Sequence, residues 1–465
     1  MQTPRKYFLH SYGCQMNKLD SELVASRLLE AGYETAETEA EASVVLLNTC
    51  SVRQHAEDRV WSRLGLLRQR KRKEPELVVG VIGCMAQEHR RYMQARMPHV
   101  DLVVGPSAFG DIDRQLEEVY RSGQRRPGLD LKHSWRRGAG VVHVDSGVSG
   151  DVIKRNVGVR SHPSQAYVSV MRGCNMPCTY CIVPSTRGKE ISRPIEDIYE
   201  EVLRLTDDGV TEVTLLGQTV NAYGRDLGPG VTLSALLRRL HEIPTVRRLA
   251  FITSHPNFLS RDLVTTLAEL PRISKFLHLP AQSGSNRVLK RMRRGYTVER
   301  YLMRWEMLKE ACPEMEIHSD WIVGYPGETD ADLQETVDFM ERVRFAQSYV
   351  FKYSPRPGTL AADLVDDVPD EVKAERNQIL LGVQDRHTWE FNKRLVGSVQ
   401  EILVEGVSPR NASRMTGRTP HHRIVHFDSD DQSLIGSYVP VLVTEAAAHS
   451  LIGDLQPENH ALPQA

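Results

Sequence analysis

Four largely apolar runs, KYFLHSY, SVVLLN, LVVGVIG and VDLVVG, recur through the first 120 residues with amphipathic helical stretches such as Ser21 to Glu30 and Glu57 to Arg72 between them. Strands with no polar alternation must be covered on both faces, and intervening helices supply that cover when the sheet is parallel. Residues 1–125 are therefore expected to form a doubly wound α/β domain. From 126 to 160 Gly, Ser and Arg dominate and no period survives, which predicts a linker with one hairpin. The alternation then resumes in AYVSVMRG, EVTLLG, RLAFITS, KFLHLP, EIHSDWIVG and QSYVFKY. The helix after the first of these places Ile195, Ile198, Tyr199, Val202, Leu203 and Leu205 along one side. Six βα units over 161–386 predict a partial (βα)6 barrel, open on one side and able to admit a bulky substrate. Beyond it the short strands GSVQEILVEG, RMTGRT, RIVHF and YVPVLVTEA predict a small antiparallel β-barrel over 388–446, followed by a tail at 447–465.

Nothing in the chain has the length of a membrane span or a signal-peptide core, so a cytoplasmic protein is expected. The 59 Lys and Arg balance 60 Asp and Glu, so any polyanion-binding surface has to be local. Over Arg386 to His426 seven cations face three glutamates, a footprint suited to a phosphate backbone or to an ordinary solvated face.

Seven cysteines in 465 residues are too sparse for a disulfide scaffold, and their placement points to metal chemistry. Cys174, Cys178 and Cys181 form CxxxCxxC directly after a predicted strand. Three soft thiolates from one loop suit an iron–sulfur cluster or zinc, but structural zinc commonly takes four protein ligands and no local fourth is present. A 4Fe-4S cluster on three cysteines leaves one iron open to an outside ligand. Cys14, Cys50 and Cys84 stand 36 and 34 residues apart, each shortly after a predicted parallel strand and each in a turn. The carboxyl ends of strands in an open α/β sheet share one crevice, so these thiols are expected to converge on a second such cluster. Three buried core cysteines are the alternative, but those would sit within strands. Cys312 precedes Pro313 without partners and is expected to be structural.

The loop resembles that of the radical S-adenosylmethionine (SAM) enzymes, CxxxCx(aromatic)C, with Tyr180 in the aromatic place. The resemblance implies that SAM's methionine part chelates the open iron and that one electron splits it to a 5′-deoxyadenosyl radical. It further implies SAM contacts at Gly217 and Gln218, at Gln282 and Ser283, and at Asp320, all at the carboxyl ends of barrel strands. Two three-cysteine clusters followed by a β-barrel resemble the methylthiotransferases over nearly the whole chain. SYGCQMN, NTCSVRQHAEDRV, GCNMPCTYCIVPSTRGKEISR, LLGQTVNAYG, LHLPAQSGSNRVLKRMRRGY and KYSPRPGT are similar to the branch acting on tRNA that bears N(6)-isopentenyladenosine, and the terminal module to its TRAM domain. Tyr180 and Trp321 depart from residues common there, without touching a ligand.

That resemblance implies conversion of isopentenyladenosine next to the anticodon to its 2-methylthio derivative. The hydrogen on carbon 2 is neither acidic nor beside a leaving group, so acid–base and nucleophilic routes offer little and a radical route is required. The cluster on Cys174, Cys178 and Cys181 would make the radical, and that on Cys14, Cys50 and Cys84 would hold the sulfur, methylated by one SAM while another is cleaved. An electron donor such as a flavodoxin or ferredoxin is implied, and a monomer is expected. Splaying a loop base needs a grip on the backbone around it. Arg287, Lys290, Arg291, Arg293 and Arg294 are candidates for phosphate contacts, and Arg68, Arg70, Lys71, Arg72 and Lys73 are weaker ones because cations also suit a helix C-terminus. Two other readings stand beside this one. The same catalyst could act on threonylcarbamoyladenosine or a ribosomal-protein aspartate, or the chain could be a zinc-containing RNA-binding protein with no catalysis. About eight irons per chain would support two clusters, whereas zinc without sulfide would exclude every enzyme reading.

Overall fold

The computed structural model describes residues 4–51, 54–124, 141–143 and 158–457. The chain divides into two compact units. One is Met1–Ser161 with Arg172–Asn175 and Cys181–Glu190, and the other is His162–Met171 with Met176–Tyr180 and Ile191–Ala465.

In the first unit β1 (Lys6–Tyr12), β2 (Glu34–Thr35), β3 (Val44–Thr49), β4 (Val78–Gly83), β5 (Leu102–Val104) and β6 (Val141–His143) make one sheet in the order β2-β1-β3-β4-β5-β6. Every pairing is parallel. The helices are α1 (Gln15–Glu30), α2 (Gln54–Lys73), α3 (Cys84–Arg96) and α4 (Ile112–Gln124). They cover both faces. Val24 and Leu28 of α1 and Leu116 of α4 pack into one apolar cluster, and Val60 and Leu64 of α2 with Met85 and Met93 of α3 pack into another. All residues of β3 and β4 are buried, as uninterrupted apolar strands require. Within the expected linker, the described residues Val141–His143 form an edge strand. Val141–His143 pairs with β5, whose free edge offers unpaired backbone groups. The rest of that stretch, 125–140 and 144–157, lies outside the described residues.

The second unit carries six parallel strands in chain order. Gln165–Ser169, Glu212–Leu216 and Arg248–Phe251 form one three-stranded sheet, and Phe276–His278, Glu316–Val323 and Gln347–Lys352 another. Leu249 bridges the two, its N–H donating to the Arg272 carbonyl at 2.8 Å and its carbonyl accepting from Ser274 N–H at 2.9 Å. The connecting helices start on side-chain caps: Thr232, Ser260, Thr297 and Thr329 each accept from the backbone N–H three residues on.

The C-terminal strands close into a five-stranded barrel, in the order Val399–Ser408, Asn411–Arg418, Ile424–Asp428, Leu451–Leu455, Tyr438–Ala446. Two features of the expectation are corrected. The segment expected as a tail contributes the closing strand Leu451–Leu455, and the barrel is mixed, because Ile424–Asp428 and Leu451–Leu455 run parallel. Five strands cannot alternate in direction all the way round a closed ring, so one adjacent pair has to be parallel. Residues 458–465 of the expected tail lie outside the described residues.

The barrel sits at the amino ends of the six parallel strands. Phe276 stacks on His422 with ring centroids 5.0 Å apart, and Lys275 N–H donates to the Pro420 carbonyl at 2.9 Å. Arg423 donates to Glu316 Oε2 at 2.6 Å.

Candidate functional site

The register of the first sheet aligns its strand ends: Tyr12 pairs with Thr49, and Thr49 with Gly83. Cys50 and Cys84 are the next residues of their strands, and Cys14 follows Tyr12 by two. Sequence separation is thereby cancelled. The Cys14 and Cys50 thiols are hydrogen-bonded, and the charges of Cys14 and Cys84 lie close enough to interact. Gly13 permits the approach. Its φ is +138°, and a Cβ there would lie 2.6 Å from Cys50 Cβ. Gly83, at φ +92°, likewise leaves room for Asn48 Oδ1, which a Cβ would meet at 2.4 Å.

Two buried amides, neither singled out by sequence reasoning, hold the crevice. Asn17 Oδ1 accepts from the Cys14 thiol at 3.2 Å, while its Nδ2 donates to Asn48 Oδ1 at 3.2 Å. Asn48 Nδ2 in turn donates to the Asn17 carbonyl and to Ser21 Oγ, each at 2.9 Å. The Cys14 thiol is drawn down to about 6, chiefly by the Cys50 hydrogen bond and, against burial, by the Arg187 cation. Burial pushes the Cys84 thiol up, with Arg187 opposing. Three thiols gathered at one crevice, one readily ionised and one beside a guanidinium, are a donor set suited to a soft, anionic metal cluster.

The CxxxCxxC loop begins at Gly173, whose φ of +72° and a Cβ position 1.9 Å from the Lys189 carbonyl oxygen admit glycine alone. Cys174 N–H donates to the Gly188 carbonyl at 3.1 Å, tying the loop's start to its end. In the second unit Arg294 Nη1 donates to Cys178 Sγ at 3.3 Å, and Thr179 bonds the Tyr325 hydroxyl at 2.7 Å. Tyr180 packs against an apolar cluster of Val288, Met292, Tyr325 and Tyr353.

Of the expected SAM contacts, Gly217 and Gln218 directly follow the strand Glu212–Leu216 and Gln282 and Ser283 lie just beyond Phe276–His278, whereas Asp320, expected at a strand's end, falls inside Glu316–Val323 because that strand runs three residues further. Both amide atoms of Gln218 are buried without a hydrogen-bond partner among the described residues. Such a group is costly unless a ligand completes it. Gly217 accommodates Met171, whose Cγ a Cβ would meet at 2.7 Å. Gln282 holds φ +71°, its N–H donating to the Asp320 carbonyl at 2.9 Å. Ser283 is turned inward and accepts from Ser285 N–H at 3.1 Å. Asp320 Oδ2 lies 3.3 Å from His278 Nε2, and His278 Nδ1 accepts from Thr253 N–H at 3.1 Å. Sequence reasoning passed over Thr253 and His278, although ITSHP and LHLP end predicted strands. Thr253 holds φ +65°, and left-handed non-glycine residues concentrate at functional sites.

The expected phosphate contacts divide. Lys290 and Arg293 are exposed. Arg287 pairs with Asp332, and Arg291 donates twice to the Pro326 carbonyl. Arg294 is corrected: it is buried and faces Cys178 and the Pro280 carbonyl, where no solvated backbone reaches it. In the other run Arg70 donates to the carbonyls of Ala40 and Ala42, and Lys71 pairs with Asp101, so both serve the protein itself. The footprint near the terminal barrel shrinks likewise, with Arg414, Arg418 and Arg423 paired to Asp428, Glu405 and Glu316. Cys312 is buried away from the strand ends, its nearest partner the Val264 carbonyl.

His255, buried behind Arg294, accepts from Asn257 N–H at 3.2 Å through Nδ1. Burial and then the Arg294 cation push its imidazole down to about 2. His318 and His422 are also lowered, again mainly by burial. The unfolded chain binds protons at such sites below about pH 6.5, so their contribution is complete above that pH and lost as pH falls, at about 1.4 kcal/mol per pH unit for each. Urea unfolding is expected to show lower stability at pH 5.5 than at 7.5, with a shallower pH slope for His255→Asn. Equal slopes would remove His255 from this account.

Comparison with known proteins settles the family. Residues 6–105 match Uncharacterized protein family UPF0004, 168–340 the Radical SAM superfamily and 393–455 the TRAM domain. The chain is 43% identical to the tRNA-2-methylthio-N(6)-dimethylallyladenosine synthase of Rhodopirellula baltica, over 96% of this chain and 94% of that one. The chain belongs to that synthase family. The Pseudomonas aeruginosa PAO1 member is 42% identical over 97% of this chain and 98% of its own length. Among solved structures, the radical SAM methyltransferase TsrM from Kitasatospora setae, with tryptophan and a SAM analog bound, aligns with a TM-score of 0.54 at 13% identity, over 75% of this chain and 73% of that one. A second TsrM structure, with cobalamin and a 4Fe-4S cluster, gives 0.52 at 13% identity, covering 77% and 74%. These two share the fold of the family. No helix among the described residues is long and apolar enough to cross a membrane.

Proposed function

We infer that the chain transfers a methylthio group to carbon 2 of N(6)-isopentenyladenosine (dimethylallyladenosine) in tRNA, using SAM and a 4Fe-4S cluster. The near full-length similarity to synthases of that name carries the reading. The six βα units are read as a partial barrel around the reacting groups. Cys174, Cys178 and Cys181 would hold the cluster that binds SAM. An iron–sulfur cluster with an open iron supplies the one-electron chemistry that an unactivated carbon–hydrogen bond demands. Gln218, with its unpartnered amide, Gln282 and the Asp320–His278 pair would orient SAM, and Tyr180 would close the loop side with an apolar face.

The crevice of Cys14, Cys50 and Cys84 would hold a second 4Fe-4S cluster carrying the sulfur to be inserted. Support comes from the aligned strand ends and the hydrogen-bonded Cys14 and Cys50 thiols. Exposed Lys290 and Arg293 would meet RNA phosphates near the site. The terminal barrel, at the opposite end of the strands, would grip a more distant part of the tRNA. Electrons would come from a small low-potential protein such as a flavodoxin or ferredoxin.

With SAM and reductant under anaerobic conditions, the protein is expected to methylthiolate tRNA only when the isopentenyl group is already in place, as read by nucleoside mass spectrometry. Equal activity on unprenylated tRNA, or activity confined to threonylcarbamoyladenosine, would overturn the substrate assignment.

A further inference from the structure

Arg187 lies within the segment GCNMPCTYCIVPSTRGKEISR, where the sequence alone assigns it no role. It ends α5 (Val183–Arg187), six residues beyond Cys181, and α5 packs on α3, whose first residue is Cys84. Its Nη2 donates to Asp20 Oδ2 at 2.5 Å, with both side chains 8% exposed. Asp20 lies on α1, which begins immediately after Cys14. The guanidinium also lies within electrostatic reach of the Cys84 and Cys14 thiols. One cation and one carboxylate, withdrawn from water, thus stand against the cysteine crevice.

A buried ion pair is a weak source of stability, because desolvation offsets much of the attraction and an apolar pair of similar volume does as well. What it does provide is fixed charge in a dry place, where charge acts strongly on its neighbours. A cluster on three thiolates is anionic and becomes more so on reduction. A cation beside the ligand sulfurs favours the reduced form, and a carboxylate paired with it moderates that effect. Net charge and hydrogen bonds to sulfur are the protein's principal means of tuning such centres.

We propose that Arg187, held by Asp20, is a positioning residue that sets the electron affinity of the centre on Cys14, Cys50 and Cys84. A residue carried on the CxxxCxxC segment thereby tunes the other cluster. The inference rests on reading those three cysteines as cluster ligands. The couple concerned is the one-electron reduction of the cluster by an external low-potential donor; no bond is made or broken, and the guanidinium keeps its proton.

The test uses the full chain with Cys174, Cys178 and Cys181 replaced by Ala, reconstituted with iron and sulfide so that only the Cys14 crevice is loaded. The midpoint potential is read spectroscopically under dithionite titration. Arg187→Gln is expected to shift it downward, Asp20→Asn upward, and Arg187→Lys to leave it near the parent. Opposite shifts from two members of one ion pair are not what lost packing would produce. Unchanged potentials, or shifts of the same sign, in variants that retain iron and sulfide would overturn the inference while leaving the cluster reading intact. If Arg187→Gln takes up no iron, Asp20→Asn decides alone: an upward shift supports the inference and none overturns it. A parent protein that binds no iron at the crevice would instead remove the cluster reading, and this inference with it.

Discussion

Cys174→Ala is expected to leave SAM uncleaved and tRNA unmodified. With one thiolate gone, the CxxxCxxC loop offers two ligands, too few to hold a cubane with one open iron, and the radical route has no source of its electron. The neighbouring scaffold is expected to survive, since Cys174 joins its loop through the backbone N–H to the Gly188 carbonyl, a bond that alanine retains. Iron content should fall from about eight to about four per chain. The measurement is 5′-deoxyadenosine and methionine formation under anaerobic reduction. SAM cleavage at the parent rate would show that these cysteines do not hold the cluster that acts on SAM.

Cys50→Ala is expected to separate the two chemistries. Cys50 is buried at the end of β3, hydrogen-bonded to Cys14, and distant in sequence from the loop that would hold SAM's cluster. Its loss leaves the crevice with two thiols but leaves the second unit's strand ends untouched. SAM cleavage should therefore persist, while methylthioadenosine in the tRNA falls below detection. Iron should again drop by about half. A Cys50→Ala protein that forms product normally would take the crevice out of the reaction. The contrast between the two variants is the sharpest statement of a division of labour between the two sets of cysteines.

Much of this was legible in the chain itself. The parallel sheets follow from uninterrupted apolar runs separated by amphipathic stretches, because burial on both faces leaves no polar alternation to mislead the reader. The alignment of Cys14, Cys50 and Cys84 follows from a general property of open α/β sheets, that strand ends share a crevice. Other features depended on partners remote in sequence. Arg294 reads as one cation among four in VLKRMRRG, and only folding turns it away from solvent toward Cys178. Arg187 and Asp20, 167 residues apart, become a pair through the seating of α5 on α3 beside α1. The strand Leu451–Leu455 was hidden by its brevity, and its parallel pairing comes from closing a ring with an odd number of strands.

Local order and residue chemistry were thus determined by the sequence alone: where strands and helices fall, which turns carry thiols, and the kind of cofactor those thiols suit. These depend on hydrophobic periodicity and functional-group type, which are properties of short segments. Tertiary structure decided which side chains stand against the sulfurs and which cations remain free for RNA. Those neighbours are set by strand register and helix seating, and registers are chosen by the burial of the whole sheet, so no segment carries them by itself.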